Sequence, residues 1–190
     1  MESLAVEAVG RLRRAGVELQ PGLAEHEFAR IEADFAFAFG PDHRELLSLA
    51  LPVGERWVDW RGGSHSELEG RLSWPTGGVV FDVHNNGFWP GSWGARPSDP
   101  LSAEAVARTR MSQVPKLVPI YGHRYMLAAP APYASAVLSV MQTDVIYYGD
   151  DLVDYVAHEF NVSPLQPAKT RLQHIPFWSD LVLGTKSNEF

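Results

Sequence analysis

The chain has 190 residues, which is long enough for one domain with a substantial buried core. Hydrophobic residues make up 45% and charged residues 21% of the chain, values that exclude general disorder. The net charge of −7 disfavours a generic nucleic-acid binder, which needs a basic face, and the absence of cysteine excludes disulfides, thiolate metal sites and cysteine nucleophiles. No apolar run approaches the roughly 18 residues of a membrane span, and the N-terminus is acidic where a signal peptide is basic. The sequence therefore predicts a cytoplasmic protein.

The first fifty residues predict three helices, over 3–14, 23–37 and 41–50. Apolar side chains recur every three or four positions, as Phe28 and Ile31 do in the second helix, so each helix has one face to bury. Proline and glycine separate the segments because neither residue favours a helix interior.

The pattern changes between residues 56 and 87. Residues 56–61 predict a short strand, and Ser64 with Glu67 has the spacing of a capping box that opens a short helix ending before Pro75. Residues 79–84 are rich in β-branched side chains and predict another strand. The Asn-Asn-Gly that follows predicts a turn, since both residue types tolerate positive φ.

The second half of the chain predicts mainly strands. After a loop of Trp, Gly and Pro over 88–100, the sequence predicts helices over 100–113 and 151–160 and strands over 117–121, 124–128 and 137–148. This order is typical of an α+β fold, with a mainly antiparallel sheet flanked by helices in a single domain. We expect that domain over 20–160, preceded by an N-terminal helix over 1–19 and followed by an extension over 161–190, partly docked or mobile.

Few motifs point to catalysis. The chain has no glycine-rich phosphate cradle and no nucleophile elbow. Asp82 and His84 are separated by one residue, and on the predicted strand they would share a face and reach the same ion. His65, His123 or Asp144 could complete such a site, and a metal-assisted hydrolase that uses Asp82, His84, His123 and Asp144 is the enzymatic alternative. No third ligand lies at a favourable local spacing, so we expect no metal and no other cofactor.

Two other polar features have structural interpretations. Asp150 and Asp151 precede a predicted helix, where a carboxylate caps free N–H groups and interacts favourably with the helix dipole. Arg124 could bind an anionic group, but the sequence favours its pairing with Asp82 or Asp144 inside the sheet layer.

Five of the six tryptophans fall within one short stretch of the chain: Trp57, Trp60, Trp74, Trp89 and Trp93. Rings on a loop rich in Gly and Pro either close the core from outside or face a partner. We hypothesise that residues 88–97 form or border a partner surface, whose contact residues are Trp57, Trp60, Trp89, Trp93 and Arg96.

Several segments together resemble a known family. They are Phe81–Pro97, which begins Phe-Asp-Val-His-Asn-Asn-Gly-Phe-Trp-Pro, Val114–Tyr125 and Ser139–Leu152. With Phe39–Leu47, which resembles the early helix of the family, and Pro119-Ile-Tyr121, they are similar in their order to the bacterial branch of the SUKH superfamily, the Smi/Knr-type domain. The resemblance covers residues 20–160.

This resemblance implies an α+β fold and a binding module without enzymatic activity. Bacterial members are commonly immunity proteins that neutralise toxins, often nucleases, and fungal members act as scaffolds in cell-wall regulation. We therefore expect an immunity protein with a protein partner; a basic toxin domain would suit the net charge of −7. Neither nucleic acid nor a membrane is expected as a partner. A scaffold or regulatory subunit is the remaining alternative.

Overall fold

The computed structural model describes residues 3–162 and 173–187, with side chains described up to residue 184. Its helices are α1 (Leu4–Arg14), α2 (Glu25–Phe35), α3 (Pro41–Leu49), α4 (His65–Asn85), α5 (Pro100–Met111), α6 (Leu152–Phe160) and α7 (Trp178–Ser187). Its strands are β1 (Leu19–Pro21), β2 (Ala50–Pro52), β3 (Leu117–Tyr121), β4 (Arg124–Leu127), β5 (Val137–Met141) and β6 (Asp144–Gly149).

Most of the predicted helices are confirmed, with ends within two residues of those expected for α1, α2, α3, α5 and α6. Side-chain oxygens mark several starts: Ser3 accepts from the N–H of Val6, and Asp99 accepts from the N–H of Ser102. Asp151 accepts from two N–H groups in the first turn of α6, as its capping interpretation requires. These caps are local, so the sequence was sufficient to locate the helix ends.

The main sheet is an antiparallel meander in the order β3-β4-β5-β6. The single strand predicted over 137–148 is wrong, because the chain turns at Gln142 and Thr143 and pairs β5 with β6. Gln142 adopts a positive φ of 58°, which closes this two-residue turn without a glycine to announce it. The predicted α+β class, with a mainly antiparallel sheet flanked by helices, is confirmed.

The strand predicted over 79–84 and the end of the preceding helix predicted before Pro75 are both wrong. Helix α4 runs unbroken through Pro75, Gly77 and Gly78, and residues 79–84 form its second half. A stripe of side chains at helical spacing faces the core and holds the helix together: Leu68, Pro75, Val79, Val80 and Val83 are buried. The predicted turn at Asn85–Gly87 is the end of this helix instead. Gly87 has a φ of 73°, and the N–H groups of Asn86 and Phe88 both donate to the carbonyl of Asp82, which ends the helix.

The strand predicted over 56–61 is also wrong. That segment is irregular and makes only an isolated bridge between Trp57 and Tyr121 among the described residues. The chain instead forms a second, two-stranded sheet in which β1 pairs with β2. Each of these strands has three residues and includes a proline, too little for a sequence pattern to indicate.

Three buried clusters share the interior. One lies between α4, α5 and the main sheet, the second between α1, α6 and the other face of the sheet, and the third around α2, α3 and Trp60. Helix α1, predicted as an N-terminal addition, packs against α3 and α6. Of the predicted extension over 161–190, residues 163–172 and 188–190 lie outside the described residues, and α7 packs against β6. Within the described residues, no helix is long and apolar enough to cross a membrane.

Candidate functional site

A cleft of about 680 Å³ lies beside the first half of α4. One wall is α4 from Ser66 to Trp74, the opposite wall is the irregular segment 54–63, and the end is closed by the turn between β3 and β4 at Gly122 and His123. We call this surface the α4 cleft. Its volume is in the range of binding sites, so it is the first candidate for function.

Local interactions fix both walls of the α4 cleft. Ser64 and Glu67 form the predicted capping box, in which the carboxylate of Glu67 accepts from the Ser64 N–H at 3.0 Å. Arg61 ties the opposite wall to the start of α2 through Glu27, with 2.7 Å between Nε and Oε1. This hydrogen bond, followed by the backbone N–H of Ala24, lowers the pKa of Glu27 to about 2. Both walls are therefore held in place by contacts within the protein.

The cationic side chains of the α4 cleft contact groups of the protein itself. The guanidinium of Arg56 lies 4.6 Å from the centroid of the Tyr121 ring and 3.9 Å from Glu159. Arg71 donates to the carbonyl of Arg56 at 3.5 Å. Burial, and then the charges of Arg124 and Arg56, lowers the pKa of His123, which keeps this imidazole neutral at neutral pH.

Arg124 forms a buried ion pair behind the cleft, and its partner is not the one predicted. Its Nε lies 2.9 Å from the carboxylate of Glu159 in α6, and Ser139 accepts a second hydrogen bond at 2.8 Å. The guanidinium also covers the Tyr148 ring at 3.7 Å. The predicted pairing with Asp82 or Asp144 is wrong, because β4 presents Arg124 to the sheet face that α6 covers. Arg124 joins the sheet to α6 and leaves little surface for a ligand.

The predicted polar cluster is dispersed rather than assembled. On helix α4, Asp82 and His84 do not share a face, so the shared-face argument fails. Asp82 is buried and accepts from the N–H and hydroxyl of Thr143, which fastens α4 to the β5–β6 turn. His84 is half exposed and lies 3.4 Å from Glu104. Asp144 is exposed and follows the β5–β6 turn that Asp82 contacts. In the described part of the chain, no three His, Asp or Glu side chains are grouped so that they could hold a metal ion.

Most of the predicted aromatic contact residues are buried. Trp60 is 1% exposed in the cluster around α2 and α3, and Trp93 is 8% exposed. The Trp93 ring stacks on Phe177, with centroids 6.0 Å apart and planes within 7° of parallel. Trp57 is also 8% exposed, although its edge lines the α4 cleft. Trp60 and Trp93 therefore close the core and offer a partner little surface, and their assignment as contact residues stays a prediction.

The remaining two predicted contact residues lie on residues 88–97, between α4 and α5, which we call the aromatic loop. Trp89 is partly buried, and its indole N–H donates to the carbonyl of Gly94 at 2.8 Å. Arg96 is exposed and donates to the carbonyl of Val83 near the end of α4 at 2.6 Å. Both side chains brace the loop against its own backbone or against α4.

Trp74, which is not among the predicted contact residues, is exposed in the structure. Trp74 is 50% exposed at the rim of the α4 cleft, and Phe81, two turns further along the helix, is 49% exposed. Both lie on the side of α4 opposite its buried stripe. If residues 68–83 are read as one helix, the period of 3.6 residues places these two rings on the face away from the buried positions.

The comparisons with known proteins add no relative from which a function could be inferred. No protein-family model matches this chain, and neither a curated protein nor a solved structure is significantly similar to it. The resemblance to the SUKH superfamily therefore rests on the order of the short segments quoted above.

Proposed function

We propose that this chain is a protein-binding module without enzymatic activity that acts as an immunity protein and neutralises a bacterial toxin. The resemblance to the bacterial SUKH branch supports this function. The net charge of −7 supports a basic partner such as a nuclease domain, since opposite charges speed association. The place of action that goes with this function is the cytoplasm, where a nuclease meets its nucleic acid.

The α4 cleft is the observation that carries the proposal. It combines a half-exposed Trp74 with Arg56 and Arg71, and Trp and Arg are the residues most enriched at the energetic centres of protein interfaces. The cleft is open along one side, which suits a loop of another protein. The groups once considered for a hydrolase, Asp82, His84, His123 and Asp144, do not converge in it.

Coexpression tests the proposal directly. An immunity gene normally lies beside its toxin gene, so the product of each neighbouring reading frame is expressed in bacteria with and without this chain. We expect one neighbour to arrest growth, the chain to restore growth, and the two proteins to copurify as a stoichiometric complex. An unrelated acidic protein of similar size and charge is the control and should not restore growth. If a toxic neighbour arrests growth equally in the presence of this chain, the proposal fails.

A further inference from the structure

We propose that the α4 cleft receives a lysine or arginine side chain of the partner protein, held between the face of the Trp74 ring and the carboxylates of Glu67 and Asp59. The inference rests on the proposed function, because it takes the partner to be a protein. It goes further by naming the chemistry of the contact and the residues that make it.

Trp74 provides the platform for a cation. Its ring makes no ring-stacking or cation–π contact with another described side chain, and half of the residue is accessible to solvent. Gly70 and Gly77 lie one turn before and one turn after it on α4, and the space where each Cβ would stand is open. A partner side chain that approaches along the helix therefore meets no side chain at these two positions. Tryptophan is the aromatic residue that attracts an ammonium or guanidinium group most strongly.

The carboxylates of the cleft favour a basic occupant. Glu55, Asp59 and Glu67 line it. Among the described residues none of the three forms an ion pair within 4 Å, although Arg71 interacts electrostatically with Glu67 and Arg61 with Asp59. The hydroxyl and N–H of Ser64 lower the pKa of Glu67, so this carboxylate is ionised at neutral pH. One oxygen of Asp59 accepts from the N–H of Gly62, and its other oxygen is free for a ligand.

An acidic occupant is less well matched. The Arg56 guanidinium lies over the Tyr121 ring and near Glu159, and Arg71 donates to a backbone carbonyl, so both guanidiniums already have contacts within the protein. His123 is neutral at neutral pH and adds no positive charge. With three carboxylates (Glu55, Asp59 and Glu67) and two guanidiniums (Arg56 and Arg71), the lining of the cleft has a net charge of −1.

A peptide titration followed by NMR tests the occupant. The probes are three blocked tripeptides, Gly-Arg-Gly, Gly-citrulline-Gly and Gly-Glu-Gly, which differ in charge at one side chain. We expect the arginine peptide to shift the indole N–H resonance of Trp74 and the backbone amides of Gly63 and Gly122, and to bind more weakly as salt is added. The neutral citrulline peptide should bind about tenfold more weakly, and the glutamate peptide should not shift these resonances.

Matched variants locate the contact. Trp74→Ala should weaken binding of the arginine peptide about tenfold, read from the Gly63 and Gly122 amides. Glu67→Gln and Asp59→Asn keep their hydrogen bonds to the protein and remove only charge, and each should weaken binding severalfold. Phe81→Ala, on an exposed ring of the same helix outside the cleft, and Asp144→Asn, on an exposed carboxylate outside it, should leave binding unchanged.

The inference is overturned if the arginine peptide shifts no cleft resonance, if citrulline or glutamate peptides bind as tightly, or if Phe81→Ala has the effect of Trp74→Ala. The coexpression assay distinguishes a failure of the cleft inference from a failure of the proposed function. If the wild-type chain restores growth and the Trp74→Ala, Glu67→Gln double variant does so equally, the cleft inference fails and the immunity function stands. If the wild-type chain does not restore growth, the immunity function fails, and the titration alone decides what the cleft binds.

Discussion

His43 is buried on α3 in an environment that admits only its neutral form. The residue is 1% exposed and its ring lies edge-on to Phe39, with centroids 5.2 Å apart. Neither ring nitrogen has a hydrogen-bond partner among the described residues. Burial lowers the pKa of His43 to about 3, because a charged imidazolium cannot be solvated there.

We predict that His43 makes the protein sensitive to mild acid. Below the ordinary histidine pKa of about 6.5 the unfolded chain binds a proton that the folded chain does not, so the free energy of unfolding falls as the pH falls. Above that pH the histidine adds no pH dependence. From pH 7 to pH 5 the loss from this group is about 2 kcal/mol. Urea denaturation at the two pH values measures it.

The variant His43→Leu isolates this contribution. It removes the titrating ring and keeps an apolar side chain, so its free energy of unfolding should fall less between pH 7 and pH 5, by about 2 kcal/mol. His65→Gln, at a histidine that is largely exposed on α4, should retain the wild-type dependence. Equal pH dependence in the wild type and in His43→Leu would rule out this role.

Helix α4 is an element whose tertiary contacts overrule its local preferences. Its centre contains Pro75, Gly77 and Gly78, residues that disfavour a helix interior. The two glycines nevertheless differ in their surroundings. A Cβ on Gly78 would stand 2.8 Å from the Cα of Gln142 in the β5–β6 turn, whereas a Cβ on Gly77 would meet nothing within 4 Å. The missing side chain at Gly78 therefore allows α4 to approach the sheet closely, whereas a side chain at Gly77 would not obstruct that approach.

We predict opposite effects for the same substitution at these neighbouring positions. Gly77→Ala should raise the free energy of unfolding by about 1 kcal/mol, because alanine favours the helix and the space is open. Gly78→Ala should lower it by about 1–3 kcal/mol, because the backbone of Gln142 must move away. Chemical denaturation of the two variants and the wild type gives both values. A stabilising Gly78→Ala would mean that α4 does not approach the turn this closely.

Two segments that are distant in the sequence pack on each other and cover part of the core. The aromatic loop after α4 contributes Trp93, and the C-terminal region contributes Phe177 and Trp178, all in the cluster that also includes α4 and α5. The indole N–H of Trp178 donates to the carbonyl of Pro115 at 2.8 Å, which fastens the C-terminal region to the segment before β3. The described part of the C-terminal extension is therefore part of the core.

We predict that Trp93 is a core residue in energetic terms. Trp93→Ala should lower the free energy of unfolding by about 3–5 kcal/mol, the loss typical of a buried aromatic ring. Trp89→Ala, at a partly exposed ring on the same loop, should cost less, about 1–2 kcal/mol. Thermal melts of the two variants compare them. If Trp93→Ala melts like the wild type, the loop does not cover the core and is again a candidate for the partner surface.

Local chemistry made much of the fold predictable. Caps such as Ser3, Asp99 and Asp151 act within one helical turn, so the sequence located five helices closely. The meander strands follow from β-branched runs separated by turns. The failures at 79–84 and 137–148 have nonlocal causes. Burial against the sheet holds β-branched residues in α4, and a positive φ at Gln142 forms a turn that no glycine marks.

The candidate site was much less predictable, because it depends on which side of each element is covered. The prediction chose tryptophans because they lie close together in the sequence. Tertiary packing, however, buries Trp60 and Trp93 and leaves Trp74 exposed. It also paired Arg124 with the wrong carboxylates, since Glu159 comes from a helix 35 positions later in the chain.

The sequence by itself determined the α+β class, the ends of five helices, the absence of thiol chemistry and the acidic charge, since these depend on composition and on interactions within a few residues. Only the tertiary structure decided that residues 65–85 form one helix and that a cleft opens beside it. It also decided which aromatic rings a partner can reach. Burial depends on contacts between residues distant in the chain, and a local pattern does not show which surface remains after those contacts form.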